Sequence, residues 1–224
     1  MNKHVFKIIA GLVMACFVQA SFAGPIVSAV RGTIQLGGPG SGSIADTLNQ
    51  NGLATSYTSG VTDFDAYLAT EGGHSTGFAG LEWFSNQGTN AATVTYDLGS
   101  AMMIDALALW NEESSGIGTL QILGSTDNLT FNSLASGLSP TDWPGGSGPN
   151  YTADRFNFSA TNLQYIRLVA TNCPQQQGTY QACAIGEVAF RMAGGQGVPE
   201  PGTLSLFGLS ALLLGMGRRR IAKK

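Results

Sequence analysis

The stretch TVTYDL at positions 93–98 decides the fold class, because apolar and polar side chains alternate along it. A period of two places Val94, Tyr96 and Leu98 on one face, which is typical of a β-strand with one side buried. The next apolar stretch, Met103 to Trp110, is interrupted by a single aspartate and predicts a strand that lies between two layers. The centre of the chain therefore indicates layered β-structure.

Similar patterns recur toward the C-terminus. Further strands are predicted at residues 118–124, 154–158, 163–170 and 185–192. A turn is predicted at 125–128 and a long surface loop at 137–150, where proline and glycine accumulate. Helical spacing is confined to residues 61–69, where Phe64 and Tyr67 are three apart, and it predicts one short helix. Strands at these intervals, separated by Gly-, Asn-, Ser- and Pro-rich turns, predict an all-β sandwich or barrel.

The strand series resembles that of discoidin-like domains, the coagulation-factor type C family. The resemblance rests on five short motifs in the same order: YDLG at 96–99, IDAL at 104–107, GSTD at 124–127 with Phe131, YIRL at 165–168 and IGEVAF at 185–190. It extends over about residues 45–191. It implies a jelly-roll β-sandwich, also called galactose-binding-like. Members of that family mostly bind carbohydrate, lipid headgroups or protein surfaces and are not catalytic.

The N-terminus has the pattern of a secretory signal peptide. Lys3 and Lys7 form a positive region, residues 8–18 are apolar, and Ser21-Phe22-Ala23 provides a small-x-small cleavage site. Cleavage is expected after Ala23. An uncleaved N-terminal anchor is the alternative, which the shortness of the apolar run disfavours.

The C-terminus combines three features that resemble a PEP-CTERM sorting signal. These are the motif Val198-Pro199-Glu200-Pro201-Gly202, an apolar run over 203–217, and a basic end with Arg218, Arg219 and Arg220. The resemblance implies that an exosortase-type membrane protease processes the exported chain. An ordinary C-terminal anchor is the alternative, although the run is shorter than the roughly 20 residues that a spanning helix needs.

These two ends predict three parts: a signal peptide at 1–23, a β-sandwich domain at 24–197, and a sorting signal with a short transmembrane helix at 198–224. We expect the domain at the cell surface or in the extracellular matrix, after transient anchoring in the inner membrane. The basic end would remain at the cytoplasmic face before processing.

The predicted domain is strongly acidic. Residues 24–197 contain four arginines, no lysine and thirteen acidic residues, a formal net charge of −9. Such a charge repels phosphate backbones and anionic lipid, which excludes nucleic-acid binding. It suits calcium, or neutral or cationic polysaccharide. Solubility alone is the alternative explanation of the acidity.

Cleavage of the signal peptide removes Cys16, so Cys173 and Cys183 remain as an even pair. In an oxidising compartment they predict a disulfide that closes the loop 174–182. A metal site is a weaker interpretation because no histidine lies nearby, and a redox site is weaker still because the spacing is not C-x-x-C.

The family resemblance also implies a structural calcium. Its members take the ligands from an early loop and from a glutamate of the closing strand. The glutamate is matched here by Glu187 and the loop more loosely by Asp46, Asn49, Asn51 and Thr55. Oxygen donors in a glycine-containing loop suit a hard cation. An Asx-rich turn without metal is the alternative.

Aromatic residues on predicted loops are candidates for stacking on sugar rings. Trp83 beside Glu82, and Trp143 in the long loop, are the best candidates, because an aromatic face and a carboxylate together suit a sugar. Tyr57 and Tyr67 complete the predicted ligand-binding set, and Phe64 and His74 lie on the same loops. Partly buried loop anchors are the alternative for each, and Trp110 is expected in the core.

Catalysis has little support in the sequence. His74 is the only histidine of residues 24–197, and no nucleophile elbow, zinc motif or phosphate loop is present. Glu112 and Glu113 are adjacent, and on an extended segment they would point to opposite faces. Two function classes remain: a carbohydrate-binding module, or a structural or adhesive matrix protein without a specific glycan ligand.

Overall fold

The structure is a computed structural model that describes residues 24–70, 72–77, 80–145 and 150–194. The predicted signal peptide and sorting signal lie outside these described residues. Among the described residues, no helix is long and apolar enough to cross a membrane.

Nine strands and two short helices make up the described domain. The strands are β1 (Ile26–Val27), β2 (Arg31–Leu36), β3 (Ser41–Gly42), β4 (Trp83–Phe84), β5 (Ala91–Asn111), β6 (Thr119–Ser125), β7 (Asn132–Leu138), β8 (Ala153–Thr171) and β9 (Ala184–Met192). A 3-10 helix covers Ile44–Leu48, and the helix α1 covers Phe64–Ala69. Strands dominate, and every pairing between them is antiparallel.

The two long strands, β5 and β8, run through both layers of a sandwich. The first half of β5 pairs with β2 and with the end of β8, which also pairs with β6. The second half of β5 pairs with β9 and with the start of β8. The register of β5 against β8 shifts between Asp97 and Met102, where Gly99 adopts a positive φ of 83°. All nine strands are connected by pairing in the order β3-β4-β9-β5-β8-β6-β7, with β1 beside β9 and β2 beside β5, and β5 and β8 carry this pairing from one layer to the other. The predicted all-β jelly-roll sandwich is confirmed.

The main core lies between the sheets and is lined by the alternating apolar positions. Val94, Tyr96 and Leu98 are buried there, as the alternation predicted. Leu107 and Leu109 enter the same core from the second half of β5. The other face of this half-strand, Ala106, Ala108 and Trp110, packs in a second cluster with Ile26, Tyr57, Phe64, Tyr67, Tyr151 and Ala189. β5 is therefore buried on both faces from Ala106 to Asn111, as predicted for most of 103–110, whereas Met103 at the start of that range is exposed.

The local predictions around the sheets are also confirmed. Asp63 caps α1 by accepting a hydrogen bond from the Ala66 amide at 2.7 Å. In the turn at 125–128, the Ser125 hydroxyl accepts from the amides of Asp127 and Asn128. The predictions missed β2 and β7, because their exposed, mixed-polarity sequences lack a clear apolar alternation, and missed β1, β3 and β4, because two residues are too few to show one.

Candidate functional site

A cleft of about 330 Å³ opens at one end of the sandwich. It lies where three segments meet: the entry to β4, the exit from β5, and the loop before β9. The register brings these segments together, since β9 pairs with β4 at Ala184 and with the end of β5 at Ile185. The cleft is lined by Ser41, Thr76, Glu82, Phe84, Glu112, Glu113, Ser114, Thr179 and Tyr180.

Three buried carboxylates converge in this cleft. Glu82, Glu112 and Glu113 each place one carboxylate oxygen within 4.8 Å of the others. Their side chains are 1%, 1% and 7% exposed. We refer to these three residues as the glutamate cluster. Among the described residues it is the only group of three or more acidic, histidine or cysteine side chains that converge in this way.

The convergence corrects the expectation that Glu112 and Glu113 point to opposite faces. β5 ends at Asn111, so the alternation of a strand does not extend to the two glutamates. The Asn111 Oδ1 accepts a hydrogen bond from the Ile117 amide at 2.8 Å, which closes a compact loop. Within this loop Glu112 accepts from the Ser114 amide and hydroxyl and from the Ser115 amide. These bonds turn Glu112 toward the same cleft as Glu113.

Glu82 is fixed from the opposite side of the cleft. Its Oε1 accepts a hydrogen bond of 2.7 Å from the Tyr151 hydroxyl and lies 3.5 Å from Nδ1 of His74. His74 is fully buried, and burial lowers the pKa of its imidazole. His74 is therefore a neutral neighbour at physiological pH.

Burial raises the pKa of all three members of the glutamate cluster. The pKa is about 8 for Glu82 and about 7 for Glu112, and that of Glu113 is raised in the same direction. Loss of water around a carboxylate is the largest cause, since it disfavours the charged form. Neighbouring carboxylates add to the effect at Glu82 and Glu112.

No lysine or arginine of the described residues forms a salt bridge with the glutamate cluster. Arg155 and Arg191 pair instead with Asp65, and Arg191 also with Asp105. Arg167 lies 3.7 Å above the ring of Phe131. In addition, Oε2 of Glu113 is buried and has no hydrogen-bond partner among the described residues. The cleft therefore holds acidic groups without a compensating cation from the described residues.

Aromatic side chains form one wall of the cleft. Phe84 and Tyr180 meet edge to face, with 6.0 Å between ring centroids. Tyr180 is half-buried and lies in the loop closed by the Cys173–Cys183 disulfide, whose Cα atoms are 5.0 Å apart. The predicted disulfide is thus confirmed.

Backbone contacts attach the disulfide loop to the loop that follows β5. The carbonyl of Ser114 accepts from the amides of Thr179 and Tyr180, and the Ser115 hydroxyl donates to the Tyr180 carbonyl at 2.7 Å. The disulfide loop and the glutamate cluster are therefore held as one unit.

The expectation that Trp83 is an exposed stacking residue is wrong. Trp83 lies in β4, is fully buried, and donates its indole N–H to the Pro39 carbonyl at 2.8 Å. Pairing of Trp83 with Ile185 of β9 directs the indole into the main core. A fully buried indole offers no face to a sugar.

Tyr57, Tyr67, Phe64 and His74 are likewise buried rather than exposed. The hydroxyl of Tyr57 lies 2.7 Å from that of Ser28, and the hydroxyl of Tyr67 donates to the Thr55 carbonyl. They anchor the loops over the second cluster. Of the predicted ligand-binding residues, Glu82 alone lines the cleft.

Trp143 lies apart from the cleft. It is half-buried in a second pocket of about 390 Å³, together with Leu68, Gly72, Asn150, Thr152 and Ala153. Its indole N–H is buried and has no partner among the described residues. The structure therefore separates Trp143 from Glu82, two residues that the sequence interpretation grouped in one site.

The predicted calcium ligands lie in a third region. Glu187 is fully buried, and its Oε2 accepts a hydrogen bond of 3.1 Å from the Gln50 amide, which brings the early loop to the closing strand. Burial, with a further contribution from Asp46, raises the pKa of Glu187 to about 8. Its Oε1 has no partner among the described residues.

The other predicted calcium ligands are engaged locally. Asp46 accepts from the Ser43 amide and the Asn49 side chain, and Asn49 accepts from the Asn51 amide. The Thr55 carbonyl accepts from Tyr67. Glu187 thus fits a cation ligand best, because it presents a buried oxygen that nothing else satisfies.

Sequence reasoning missed Glu112, Glu113 and Tyr180 as members of one site. The available signal was the pair of glutamates directly after a buried strand, in a segment of serine and glycine that cannot continue the strand. Tyr180 gave a second signal, because the predicted disulfide fixes its loop.

Comparison with known proteins gives two family matches. The F5/8 type C domain matches residues 53–188, and the PEP-CTERM protein-sorting motif matches residues 197–220. No curated protein matches the chain significantly.

Solved structures with a similar fold include chitosan-binding module 1 from a chitosanase/glucanase of Paenibacillus sp. IK-5. It is 13% identical, with 73% of this chain and 95% of that chain covered and a TM-score of 0.46. Another is CpGH89CBM32-5 from Clostridium perfringens in complex with GalNAc-β-1,3-galactose. It is also 13% identical, with 71% and 93% covered and a TM-score of 0.46.

Proposed function

The chain belongs to the F5/8 type C domain family, and from this premise we propose that it is an exported, non-catalytic surface or matrix protein that binds carbohydrate in the cleft of the glutamate cluster. The PEP-CTERM motif supports export and processing by an exosortase-type protease. The same proposal includes a transient membrane anchor. It also places the mature protein at the cell surface or in the extracellular matrix.

One observation carries the carbohydrate proposal: the cleft combines oriented carboxylates with an accessible aromatic ring. Sugars are recognised by hydrogen-bond acceptors for their hydroxyls together with an apolar ring for their C–H face. Glu112 and Glu113 supply the acceptors, and Tyr180 supplies the ring. The volume of about 330 Å³ lies in the range of small-ligand sites.

The net charge of the domain favours some ligand classes of the family over others. A net charge of −9 over residues 24–197 opposes anionic lipid headgroups. A protein partner generally needs a broad, flat surface, whereas the candidate site is a small concave one. Carbohydrate agrees with both the charge and the shape of the cleft.

The proposal is tested by glycan-array and polysaccharide pull-down binding of the full-length protein. We expect Tyr180→Ala and Glu113→Gln each to lower affinity at least tenfold, because each removes a direct contact in the cleft. Trp143→Phe is the control, because it changes the other pocket. Binding that survives both cleft variants would contradict the site. Absence of glycan binding, with matrix assembly intact, would favour the structural or adhesive alternative.

We also propose a structural calcium at Glu187 with oxygens of the loop that contains Asp46, Asn49, Asn51 and Thr55. The unpartnered Oε1 of Glu187 supports it, since a bound cation would satisfy a buried carboxylate. Calorimetric titration of EDTA-stripped protein should give heat with calcium, and Glu187→Gln should abolish it. No calcium heat in the unmodified protein would end the proposal.

A further inference from the structure

The glutamate cluster also indicates which class of carbohydrate binds in the cleft. This inference rests on the proposed function. We propose that the cleft recognises an amino sugar, and that the ammonium group of the sugar lies between Glu82, Glu112 and Glu113. The acidic groups then select a cationic sugar over a neutral one of the same shape.

The first support is the missing counter-charge. Buried carboxylates are costly unless a cation or hydrogen-bond donors satisfy them. Tyr151 satisfies part of Glu82, and Ser114 and Ser115 satisfy part of Glu112. The described residues include no lysine, and Arg155, Arg191 and Arg167 contact other groups. A cationic ligand would supply the counter-charge that these residues do not give to the cluster.

The second support is the unpartnered oxygen of Glu113. Its side chain lines the cleft and is 93% buried, yet its Oε2 accepts no hydrogen bond from the described residues. An ammonium has three donors and no acceptor. It can donate one bond to each of the three glutamates and thereby provide the donor that Glu113 lacks.

The spacing of the cluster agrees with this ligand. Charge-assisted N–H···O bonds are about 2.7–2.9 Å long, so tetrahedral donation places the acceptor oxygens about 4.6 Å apart. The three oxygens lie within 4.8 Å of one another. One ammonium nitrogen can therefore reach all three without moving the backbone.

The remainder of the cleft favours a sugar over a bare metal ion. Calcium takes six to eight oxygen ligands, whereas the cluster offers three carboxylates whose oxygens are partly engaged with amides and hydroxyls. The cleft is also far larger than an ion needs, and Phe84 and Tyr180 form a wall against which a pyranose ring can pack. A metal ion is consequently an alternative outcome of the test.

The test compares two ligands with the same sugar backbone, in which the nitrogen is a charged ammonium in one and a neutral acetamide in the other. The full-length protein is titrated calorimetrically with the β-1,4 trimer of glucosamine and with the β-1,4 trimer of N-acetylglucosamine, at physiological salt. We expect the glucosamine trimer to bind at least tenfold more tightly. Glu113→Gln should remove most of that preference. Asp127→Asn is the charge-matched control, because it removes one negative charge in the exposed turn at 125–128, outside the cleft, and should leave the preference unchanged.

Each other outcome is decisive. Equal or tighter binding of the acetylated trimer, or an equal loss of the preference in Asp127→Asn, overturns the amino-sugar inference. If neutral glycans bind in the cleft without this preference, the inference fails while the proposed function stands. If neither trimer binds, the inference fails, and the glycan array decides separately whether the proposed function stands. If calcium binds at the glutamate cluster and the glucosamine trimer does not, the cluster is a metal site and the inference is also overturned.

Discussion

Tyr151 donates its hydroxyl hydrogen to Glu82 across 2.7 Å, although both side chains are buried and the residues are 69 positions apart. The bond connects the segment before β8 to the floor of the cleft. The hydrogen bond lowers the pKa of Glu82, opposing the larger effect of burial. Tyr151 therefore both orients Glu82 and favours its charged form.

Tyr151→Phe removes this donor while keeping the ring. We expect the free energy of unfolding to fall by about 1–3 kcal/mol, because a buried acceptor loses its partner. The pKa of Glu82 should rise further. Urea denaturation at neutral pH measures the change in stability.

Tyr165→Phe is the matched control. The Tyr165 hydroxyl accepts a hydrogen bond from the Gln164 side chain on a partly exposed strand face, so its loss should cost about 0.5 kcal/mol or less. Equal effects of the two substitutions would show that the Glu82 contact has no special role.

Stability should decrease as the pH rises from about 6.5 to 8. The pKa values of Glu82 and Glu187 are raised to about 8 by burial, so both stay largely protonated in the folded state while the unfolded chain is ionised. The folded state then binds more protons, and the unfolding free energy falls by about 1 kcal/mol per pH unit for each group. Above about pH 8 both groups are ionised in the folded and the unfolded state, so stability no longer changes with pH through them.

His74 sets the lower end of the pH range in which the slope is measured. Its pKa is lowered by burial, so below about pH 6.5 the unfolded chain takes up a proton that the folded state does not, and this one group offsets part of the slope from Glu82 and Glu187. Urea denaturation in EDTA at pH 6.5, 7.25 and 8 measures the slope. Glu82→Gln combined with Glu187→Gln should make the slope shallower and leave the contribution of Glu112, whose pKa is raised to about 7. A slope as steep in this double variant as in the unmodified protein would assign it to other groups.

Much of the sandwich is predictable from local patterns, because the spacing of apolar residues along each long strand shows which of its faces are buried. Val94, Tyr96 and Leu98 alternate, and Leu107 and Leu109 interleave with Ala106 and Ala108 where both faces are covered. Exposed strands lack such a spacing of apolar residues. β7 pairs with β6 and is partly exposed, and Leu134, Ala135 and Leu138 pack against the main core without a regular alternation that the sequence could reveal.

The cleft was not predictable by the same means. Trp83 occurs among glycine and polar residues, which suggested a loop, but two-residue pairing with β9 places it in the core. Glu112 and Glu113 converge because the strand ends one residue earlier, at Asn111. Both outcomes depend on contacts between residues more than 60 positions apart or on the exact end of a strand, and neither is recorded locally.

The burial of Trp83 makes Trp83→Ala a strongly destabilising change. We expect the free energy of unfolding to fall by about 3–5 kcal/mol, because a large cavity forms in the main core and the Pro39 carbonyl loses its donor. Trp143→Ala, at a half-buried position, should cost less than half as much. Urea denaturation followed by far-UV circular dichroism compares them. If Trp83→Ala left the free energy of unfolding nearly unchanged, Trp83 would have to lie at the surface, and a role in ligand binding would again be a hypothesis.

The disulfide should matter for both stability and ligand binding. Replacing Cys173 and Cys183 together by serine removes a cross-link across ten residues and should lower the unfolding free energy by about 2–3 kcal/mol on the loop-entropy model. The same loop carries Tyr180, whose backbone is bonded to Ser114 and Ser115. Glycan affinity should therefore fall severalfold under conditions where the double variant remains folded. Unchanged affinity would mean that the contacts to Ser114 and Ser115 alone are sufficient to position Tyr180.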